Sequence, residues 1–489
     1  TGGVIATISA AENGAKVLGI DQKSKVGNVR EDIGAIDSRL QLEGYADHPD
    51  CVIDKKEAIE DIVRYANGAC NRDLINLWAE ESGAMVDWVT DICERDGNFK
   101  MNWEAGVGDT SVAERAWATS HSPQKLTDDK NLSFGQDLVN YATEKGAEFR
   151  WDTSLIKCEQ DASGRVTGVI CRSDLDKHYL RVNAKNGVIL CTGGYAANTE
   201  MLEVRQPWNQ DIRINTPPGG GNSGDGIKAA LWCGAHMDPV GTAVTFNRAA
   251  VKPGEFPGAD VKGAWFWFGE QPFLKVNTKG KRFCNESGPY DYILHAASMQ
   301  PHHMYVDIWD SNYFEDVKQI DEHGCCRLYP WDNGSPSNKD ISSMPADLQK
   351  LQDKGYVQTA DTMEELAEKL GLPVEQTVAT WKQYNEYAAA GDDPDYNKEP
   401  YRLIALDQPP YYGCRTGSWF LATIDGVAVN TDLHPVDDEG DPIEGLYVVG
   451  NDSGGFFCFT YPSMFVGLAC GRTMTFGKRA GMLAAKGLA

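Results

Sequence analysis

Three features are scarce in this sequence: long apolar runs, spaced cysteine pairs and positive charge. No apolar run reaches the roughly 18 residues that a membrane-spanning helix needs, so no membrane span is expected. The 13 cysteines include no C-x-x-C spacing, which argues against a disulfide framework and against zinc or iron–sulfur ligation. Because 71 acidic residues stand against 46 basic ones, the net charge of −25 repels phosphate backbones, and nucleic acid is not expected as a partner.

What is present is an ordinary globular composition, with 42% hydrophobic and 24% charged residues. At 489 residues the chain exceeds one hydrophobic core, so two domains are expected. The sequence shows no signal peptide, which predicts a cytoplasmic location, or export if a leader precedes residue 1. The adjacent histidines His302 and His303 would diverge on any regular element, so no metal site is predicted.

The first 21 residues, TGGVIATISAAENGAKVLGID, predict a helix followed by a buried strand at 17–20. This order matches a dinucleotide-binding unit that has lost its first strand. Gly3 would be the third glycine of G-x-G-x-x-G, and Asp21 stands where an acid binds a ribose hydroxyl. A plain helix–strand pair with a glycine start is the alternative interpretation.

Short alternating runs broken by turn residues fill residues 149–191 and predict β-hairpins. The last of these runs leads straight into the small-residue segment 192–194. Downstream, TPPGGGNSGDGIKAALWCGA (216–235) is a glycine-rich loop that opens a helix, with Asp225 in the first turn. Backbone N–H groups at such a helix start can bind a phosphate or the polar edge of a ring.

The middle of the chain differs in character from both ends. From residue 237 to 415 the glycine loops give way to aromatic and proline-rich sequence and then to a pair of acidic helices, which indicates an inserted domain. The predicted division is therefore a first domain built from 1–236, without its first strand, and 416–489, with a second domain at 237–415 between them.

Four segments resemble a known family: Thr1 to Asp21, GVILCTGGYAANTEML, GGGNSGDGIKAA, and GLYVVGNDSGG followed by GRTMTFGKRAG. In order and spacing they resemble the FAD domain of the fumarate reductase and succinate dehydrogenase flavoprotein superfamily. The inserted region resembles that family's capping domain, so the match covers almost the whole chain. The resemblance implies an α/β fold, in which a Rossmann-like FAD-binding domain carries an inserted α+β capping domain, and a flavin-dependent oxidoreductase of the CH–CH group.

The resemblance also implies which residues hold the cofactor FAD. Gly2 and Gly3 would begin the helix that binds the pyrophosphate, and Asp21 would bind the adenosine ribose. The flavin would be lined by Thr192, Gly193, Gly194, Ser223, Gly224 and Asp225, and the ribityl chain would be covered by Gly450, Asn451 and Asp452. No histidine lies near the flavin-facing start, so FAD is expected to bind non-covalently.

Three anion-binding positions of the fumarate-reducing members are aromatic or apolar here. Tyr290, in GKRFCNESGPYDY, stands where those members have the arginine that donates a proton. Tyr461, in FTYPSMF, stands about where an arginine binds a substrate carboxylate, and the histidine expected before T-x-G-G is replaced by the Trp419-Phe420-Leu421 run. A buried dicarboxylate needs charge-assisted partners, which phenols cannot supply, so a small apolar carbonyl compound is the predicted substrate.

The two tyrosines resemble those of a sister branch, the flavin-dependent 3-ketosteroid dehydrogenases and related enone reductases. This likeness implies that Tyr461 polarises a ketone and that Tyr290 transfers a proton beside it. A neutral phenol, with a pKa of about 10, is a proton donor, which favours reduction of an apolar, steroid-like or otherwise fused-ring or aromatic enone. The branch has a small, glycine-containing loop after T-Y-P, whereas residues 463–465 here are Ser-Met-Phe. The predicted substrate contacts are Trp419, Phe420, Phe465 and Trp267.

Three alternatives stay open from the sequence. The first is a 3-ketosteroid dehydrogenase that works oxidatively. The second is a reductase of unsaturated acids, of the fumarate or urocanate kind, that uses other arginines such as Arg248 or Arg415. The third is a flavin electron-transfer subunit with no small substrate. Because no second dinucleotide fingerprint is present, electrons are expected to pass to or from an external flavoprotein, haem protein or quinone rather than directly from NADH.

Overall fold

The computed structural model describes residues 1–487 apart from residues 28, 30, 107–108, 111–113, 216–221, 259, 321–325, 332, 338 and 460. The glycine run that starts the 216–235 loop and the threonine of the T-Y-P motif therefore lie outside the described residues. One cysteine of the adjacent pair at 325–326 also lies outside them.

The first part of the chain alternates helices with short strands. In chain order it contains α1 (Gly2–Glu12), β1 (Leu18–Ile20), β2 (Ile33–Gly34), α2 (Arg39–Gly44), α3 (Lys55–Tyr65), α4 (Arg72–Glu94), β3 (Phe99–Trp103), β4 (Asp109–Thr110), β5 (Glu114–Arg115), β6 (Ser120–Lys125), α5 (Phe134–Glu144) and β7 (Glu148–Arg150). β1 pairs in parallel with β7, and β6 pairs antiparallel with β2 and β3. The predicted helix and strand at the start of the chain are confirmed, but the predicted burial of the strand is wrong, because Leu18 is exposed and the two residues after it are only partly buried.

The predicted hairpins follow. The elements are β8 (Thr153–Gln160), β9 (Val166–Ser173), β10 (Tyr179–Asn183), β11 (Val188–Leu190), α6 (Thr199–Arg205), α7 (Pro207–Ile212), β12 (Arg213–Asn215) and α8 (Asp225–Trp232). β9 pairs antiparallel with both β8 and β10, as the alternating runs predict. α8 begins after Gly224, whose φ of +77° lies in the left-handed region that glycine adopts without strain.

The inserted region forms a mixed sheet with helices on it. Its elements are β13 (Ala243–Val251), β14 (Ala264–Trp265), β15 (Leu274–Asn277), α9 (Tyr290–Ser298), β16 (Tyr305–Trp309), α10 (Tyr313–Ile320), α11 (Met344–Asp353), β17 (Val357–Ala360), α12 (Met363–Leu370), α13 (Val374–Ala390) and β18 (Tyr411–Thr423). The strands lie in the order β14-β13-β18-β16-β15, and β12 and β17 also pair with β18. The boundary predicted between residues 415 and 416 falls within β18.

The chain returns to the first domain with β19 (Leu446–Val448) and α14 (Leu468–Ala485). β19 pairs in parallel with β11, and α14 packs beside α1. The contact between the two helices is close, because Ser9 Oγ donates to the Lys478 carbonyl over 2.6 Å and a Cβ on Gly481 would lie 2.4 Å from the Ala6 oxygen. Only glycine fits there.

Helices and mixed sheets alternate through these elements, and the predicted α/β class is confirmed. Within the described part of the chain, no helix combines the length and the apolar character needed to cross a membrane. In the same residues, no group of three or more His, Cys, Asp or Glu side chains is placed to hold a metal ion.

Candidate active site

A cavity of ≈ 350 Å³ lies where three helices begin and two strands of the inserted sheet approach them. Thr1 and Gly2 line it from the start of α1, and Tyr290 lines it from the start of α9. The start of α14 contributes Ala469, Cys470 and Thr473, and the strands β13 and β18 contribute Val244, Phe246, Leu421 and Ala422. Helix starts present unpaired backbone N–H groups and a positive dipole end, so this side of the cavity suits negatively charged ligand groups.

A ligand in the cavity can approach the backbone closely at the start of α1, because Gly2 has no side chain. A Cβ on Gly2 would lie 3.1 Å from Thr473 Cγ2 and 3.5 Å from Val449 Cγ2, so a larger residue would narrow the cavity there. Gly450 and Asn451 line the same side. Gly450 has φ +68°, another left-handed position. The arrangement is a cradle of backbone donors of the kind that binds a phosphate.

Asp452 is fully buried and holds the loop after β11 in place. It accepts hydrogen bonds from the backbone N–H groups of Thr192 and Gly194, the latter over 2.8 Å. It also accepts one from Thr192 Oγ1 over 3.0 Å. Burial raises the pKa of Asp452, and these donors oppose that shift. Cys191 and Gly193, the latter at φ +95°, are the residues of this loop that line the cavity, so Asp452 acts on the cavity by fixing the loop.

The start of α8 is tied to the same loop. Gly226 donates its N–H to Thr192 Oγ1 over 2.9 Å, and Gly224 donates to the Gly194 carbonyl over 2.9 Å. Ser223 Oγ donates to Asp225 over 2.7 Å. The neighbouring Asn222, which sequence reasoning missed, is the residue of this segment that lines the cavity.

Eight of the twelve predicted cofactor residues are not among those that line the cavity: Gly3, Asp21, Thr192, Gly194, Ser223, Gly224, Asp225 and Asp452. The carbonyl of Gly3 accepts a hydrogen bond from Thr7 Oγ1 within α1, over 2.8 Å. Asp21 is exposed just after β1 and accepts from the Lys23 N–H over 2.8 Å. Its assignment to an adenosine ribose remains a prediction.

Tyr290 is the first residue of α9, preceded by Pro289 as the N-cap. Its side chain is partly buried, and its ring meets Phe246 edge to face with 4.8 Å between centroids. Ser287, Gly288 and Pro289 also line the cavity. The Ser-Gly-Pro corner therefore places the predicted proton donor at the cavity wall.

A buried group of charges fixes the segment before this corner. Arg282 donates to both oxygens of Glu286 over 2.7 and 2.8 Å, and to both oxygens of Asp393 over 2.8 and 2.7 Å. Lys398 lies 3.5 Å from Glu286. Burial lowers the pKa of Lys398 to about 8. Two positive and two negative side chains balance one another, which makes their burial tolerable.

Tyr461 is 8% exposed and is held from the other side of the cavity. Its hydroxyl oxygen accepts a hydrogen bond from the N–H of Ala469, in the first turn of α14, over 3.2 Å. Below it, the buried Arg472 donates to the carbonyls of Gly450 over 2.7 Å and Ser453 over 3.1 Å. Burial lowers the pKa of Arg472 to about 10, although nearby Asp238 and Tyr461 oppose the shift. Tyr290 and Tyr461 thus line one cavity.

Polar residues that sequence reasoning did not assign also line the cavity. Glu270 and Cys326 line it beside Phe246, and Glu270 is paired with the buried Arg248. Arg402, 2% exposed, lines it as well and donates its Nε–H to the Ile320 carbonyl over 3.0 Å. No local pattern in the sequence marks these residues, because each depends on contacts between distant segments.

The arginines named for an unsaturated-acid reductase are placed differently. Arg248 is held by Glu270. Arg415 donates to the Leu370 carbonyl over 3.3 Å and to Met304 Sδ over 3.3 Å, among residues of the inserted domain away from the cavity lining. Burial lowers its pKa.

The four aromatic residues predicted as substrate contacts are not among those that line the cavity. Phe465 is fully buried and stacks on Trp117, with ring centroids 5.4 Å apart. Phe420 is fully buried in β18. Trp419 packs edge-on against Trp265 at 4.8 Å, and Trp267 lies under the Arg248 guanidinium. The sequence shows the aromatic pattern but not the direction in which each side chain points. Phe246, Leu421 and Met464 line the cavity wall instead.

Comparison with known proteins decides the family. The sequence model described as FAD binding domain matches residues 1–464. The chain belongs to this FAD-binding family. It is therefore an FAD-dependent oxidoreductase, and the family and the cofactor predicted from the four segments are confirmed.

The relatives of this flavoprotein include enzymes with different substrates. Vinyl phenol reductase of Lactiplantibacillus plantarum is 27% identical over 491 residues, which cover 99% of this chain and 94% of the relative. Among solved structures, 3-ketosteroid delta1-dehydrogenase of Sterolibacterium denitrificans has a TM-score of 0.73 at 20% identity, over 99% of this chain and 97% of that chain. The open form of a flavocytochrome c3 fumarate reductase has a TM-score of 0.70 at 22% identity, over 99% and 76%. The last two share its fold.

The residues of the flavoprotein fit FAD at the cradle described above. Gly2, Gly193 and Gly450 leave the backbone open, and the start of α1 offers N–H groups to a diphosphate. Asn222 and Asn451 supply side-chain amides that can bind polar ring edges or hydroxyls. Tyr290 and Tyr461 line the same continuous cavity as this cradle, so a substrate beside them would lie against the cofactor.

Proposed function

We propose that this flavoprotein reduces a carbon–carbon double bond that is conjugated to a carbonyl group in an uncharged, largely apolar substrate. The observation that carries the proposal is the placement of Tyr290 and Tyr461 on one cavity with the FAD cradle, among apolar side chains such as Phe246, Leu421 and Met464. Two phenols supply a proton and a hydrogen bond without adding a charge, which suits an enone.

Tyr461 would bind the carbonyl oxygen of the substrate. Its own oxygen accepts the N–H of Ala469 at the positive end of α14, which polarises the phenol and makes its O–H a stronger donor. A donor aimed at the carbonyl stabilises the negative charge that develops on that oxygen during reduction. Tyr461 therefore acts as the electrophilic group of the site.

Tyr290 would supply the proton. FAD held at the cradle would supply the hydride chemistry at the β carbon of the conjugated system. Tyr290 then gives its phenolic proton to the α carbon, so that the double bond becomes a single bond and the phenolate regains a proton from solvent. The buried charges around Arg282 fix the segment that carries Tyr290, and this favours a donor held in one position.

Electrons for each turnover would come from outside the chain. A flavoprotein, a haem protein or a quinol is the proposed donor, and the fold shared with a protein named as a flavocytochrome favours a haem protein. The finer identity of this partner is part of the proposal.

The similarity to vinyl phenol reductase over nearly the whole of both chains favours a second candidate, an alkene conjugated to a phenol ring. Arg402 on the cavity wall favours a third, an unsaturated acid whose carboxylate it would bind. Anaerobic reoxidation of the photoreduced protein separates these candidates. Rapid reoxidation by enones supports the proposal, by vinyl phenols the second candidate, and by fumarate the third.

Replacement of the proton donor tests the mechanism. We expect Tyr290→Phe to lower the turnover number for an enone by roughly 10²–10⁴-fold, because the phenolic proton is lost. FAD content should be unchanged, since Tyr290 lies at the start of α9 and is not one of the residues that form the FAD cradle.

Tyr292→Phe is the matched control. This tyrosine lies on the same helix, is 42% exposed and stacks on Tyr65 with ring centroids 5.4 Å apart. The stack survives loss of the hydroxyl, so its turnover should remain normal. Equal turnover in wild type and Tyr290→Phe would contradict the mechanism.

A further inference from the structure

Glu270 carries an unused hydrogen-bond acceptor at the cavity. It ends the short helical turn Trp267–Glu270, is 6% exposed and lines the cavity. Its Oε2 accepts hydrogen bonds from the Arg248 guanidinium and from Cys326 Sγ, the latter over 2.6 Å. Its Oε1 is buried and has no hydrogen-bond partner in the described part of the chain. A carboxylate oxygen buried in this way costs free energy unless a ligand supplies a donor.

Arg248 forms a buried ion pair with Glu270. Arg248 is itself 2% exposed, and its guanidinium carbon lies 4.0 Å from the ring centroid of Trp267 and 4.8 Å from that of Phe246. The aromatic faces hold this cation in place. Arg248 therefore remains paired with Glu270 Oε2, whereas Oε1 still lacks a hydrogen-bond donor among the described residues.

Glu270 and Tyr290 are connected by contacts through Arg248 and Phe246. Phe246 touches Tyr290 edge-on at 4.8 Å and also lies against the guanidinium that binds Glu270. All of Phe246, Glu270 and Tyr290 line the cavity. A ligand with its alkene at Tyr290 therefore lies in the same cavity as the carboxylate.

We propose that Glu270 Oε1 accepts a hydrogen bond from an un-ionised hydroxyl group of the substrate, so that the substrate is a hydroxylated conjugated alkene. The inference rests on the proposed function for the position of the alkene. A carboxylate at this end would face a second carboxylate, and an ammonium would face the Arg248 cation. An ether or a bare ring would leave Oε1 without a donor.

Three ligands with the same enone test the inference: 4-(4-hydroxyphenyl)but-3-en-2-one, its methyl ether, and the analogue with a carboxylate in place of the hydroxyl. Dissociation constants are measured from the change in flavin absorption of the oxidised holoenzyme, which requires no turnover. We expect the phenol to bind about tenfold more tightly than the ether, as one hydrogen bond to a charged acceptor allows. The carboxylate should bind least tightly. Equal affinities for phenol and ether would overturn the inference.

In Glu270→Gln the dissociation constants of the phenol and the ether should lie within about twofold of each other. The amide oxygen would accept from Arg248, so the NH₂ group, which cannot accept a hydrogen bond, would face the ligand. Asp316→Asn is the matched control, since Asp316 Oδ2 is also buried and without a partner in the described residues but lies on α10. It should keep the tenfold ratio. A tenfold ratio retained in Glu270→Gln would overturn the inference, and a variant that loses FAD leaves the wild-type ligand series to decide.

The same ligands separate this inference from the proposed function. Reduction of both alkenes with equal binding would leave the proposed function standing and overturn the role of Glu270. A Glu270-dependent preference for the phenol without reduction of either compound supports the role of Glu270 and overturns the proposed function.

Discussion

At the scale of single residues, Tyr290 and Tyr461 are held by different contacts, and the role of Tyr461 can be tested by substitution. Because its oxygen is bound by the Ala469 N–H, Tyr461→Phe removes both that acceptor and the donor to the substrate carbonyl. We expect turnover with an enone to fall by roughly 10²–10³-fold, as for loss of one donor to a developing oxyanion. Steady-state kinetics and FAD content provide the measurement.

Tyr411→Phe is a suitable control for Tyr461→Phe, because Tyr411 is 6% exposed but lies at the far end of β18, against Trp381. It should keep wild-type kinetics. Wild-type turnover in Tyr461→Phe would remove that residue from the mechanism.

The two tyrosines were accessible to sequence reasoning, whereas their neighbours were not. Tyr290 and Tyr461 each stand in a short motif, so their positions follow from local sequence. Glu270 and Arg402 reach the cavity through packing between segments that are far apart in the chain. The facing of Trp419 and Phe465 depends on such packing as well, which is why their predicted contact with substrate does not follow from aromatic character alone.

At the scale of elements, the antiparallel layer of β2, β6 and β3 depends on a neutral histidine. His121 of β6 is fully buried, its Nδ1 lies 3.1 Å from the Ile33 carbonyl, and its Nε2 lies 2.7 Å from Ser38 Oγ at the start of α2. Burial lowers the pKa of His121 to about 4. The layer also supports the loop after Tyr461, because Gly34 N–H donates to the Gly467 carbonyl over 2.9 Å.

The stability of this layer should therefore depend on pH. The unfolded chain binds a proton at His121 near pH 6.5, whereas the folded chain does so only near pH 4, so stability is lost as the pH falls between these values. At pH 5 we expect a loss of about 2 kcal/mol in the free energy of unfolding from this group, measured by urea denaturation against pH 7.

His121→Gln is the reference for this measurement, because it cannot titrate. Burial raises the pKa of Asp238, Asp307 and Asp316 to about 6, and these groups stabilise the fold as the pH falls. Only the difference between wild type and variant isolates the histidine. A difference that is the same at pH 5 and pH 7 would contradict the assignment.

Regular elements with local signals were predictable from the sequence, and long-range pairing was not. α1, β1 and the hairpins β8 to β10 follow from apolar spacing and turn residues. β18 extends over 13 residues and pairs with four other strands drawn from widely separated segments. No local pattern encodes those partners.

At the scale of the whole molecule, the net charge of −25 opposes the approach of FAD, whose diphosphate is also negative. The starts of α1, α9 and α14 at the cavity attract it only at short range. Salt screens the long-range repulsion, because the Debye length falls from about 30 Å at 0.01 M to about 8 Å at 0.15 M. We expect FAD to bind the apoprotein faster, by up to roughly tenfold, as ionic strength rises over this range.

Stopped-flow quenching of FAD fluorescence measures that rate. The dissociation rate should change little, since the contacts at the helix starts are shielded from solvent ions. Slower association at higher salt would show that local positive potential dominates the encounter.

The close contact between α1 and α14 has a consequence for how the protein is made. Ser9 and Lys478 touch across almost the entire length of the chain, and α1 buries Val4, Ile5 and Ile8. During synthesis α1 emerges long before α14, the helix that covers one of its faces. That apolar face must stay uncovered, or be shielded by a chaperone, until α14 has been made.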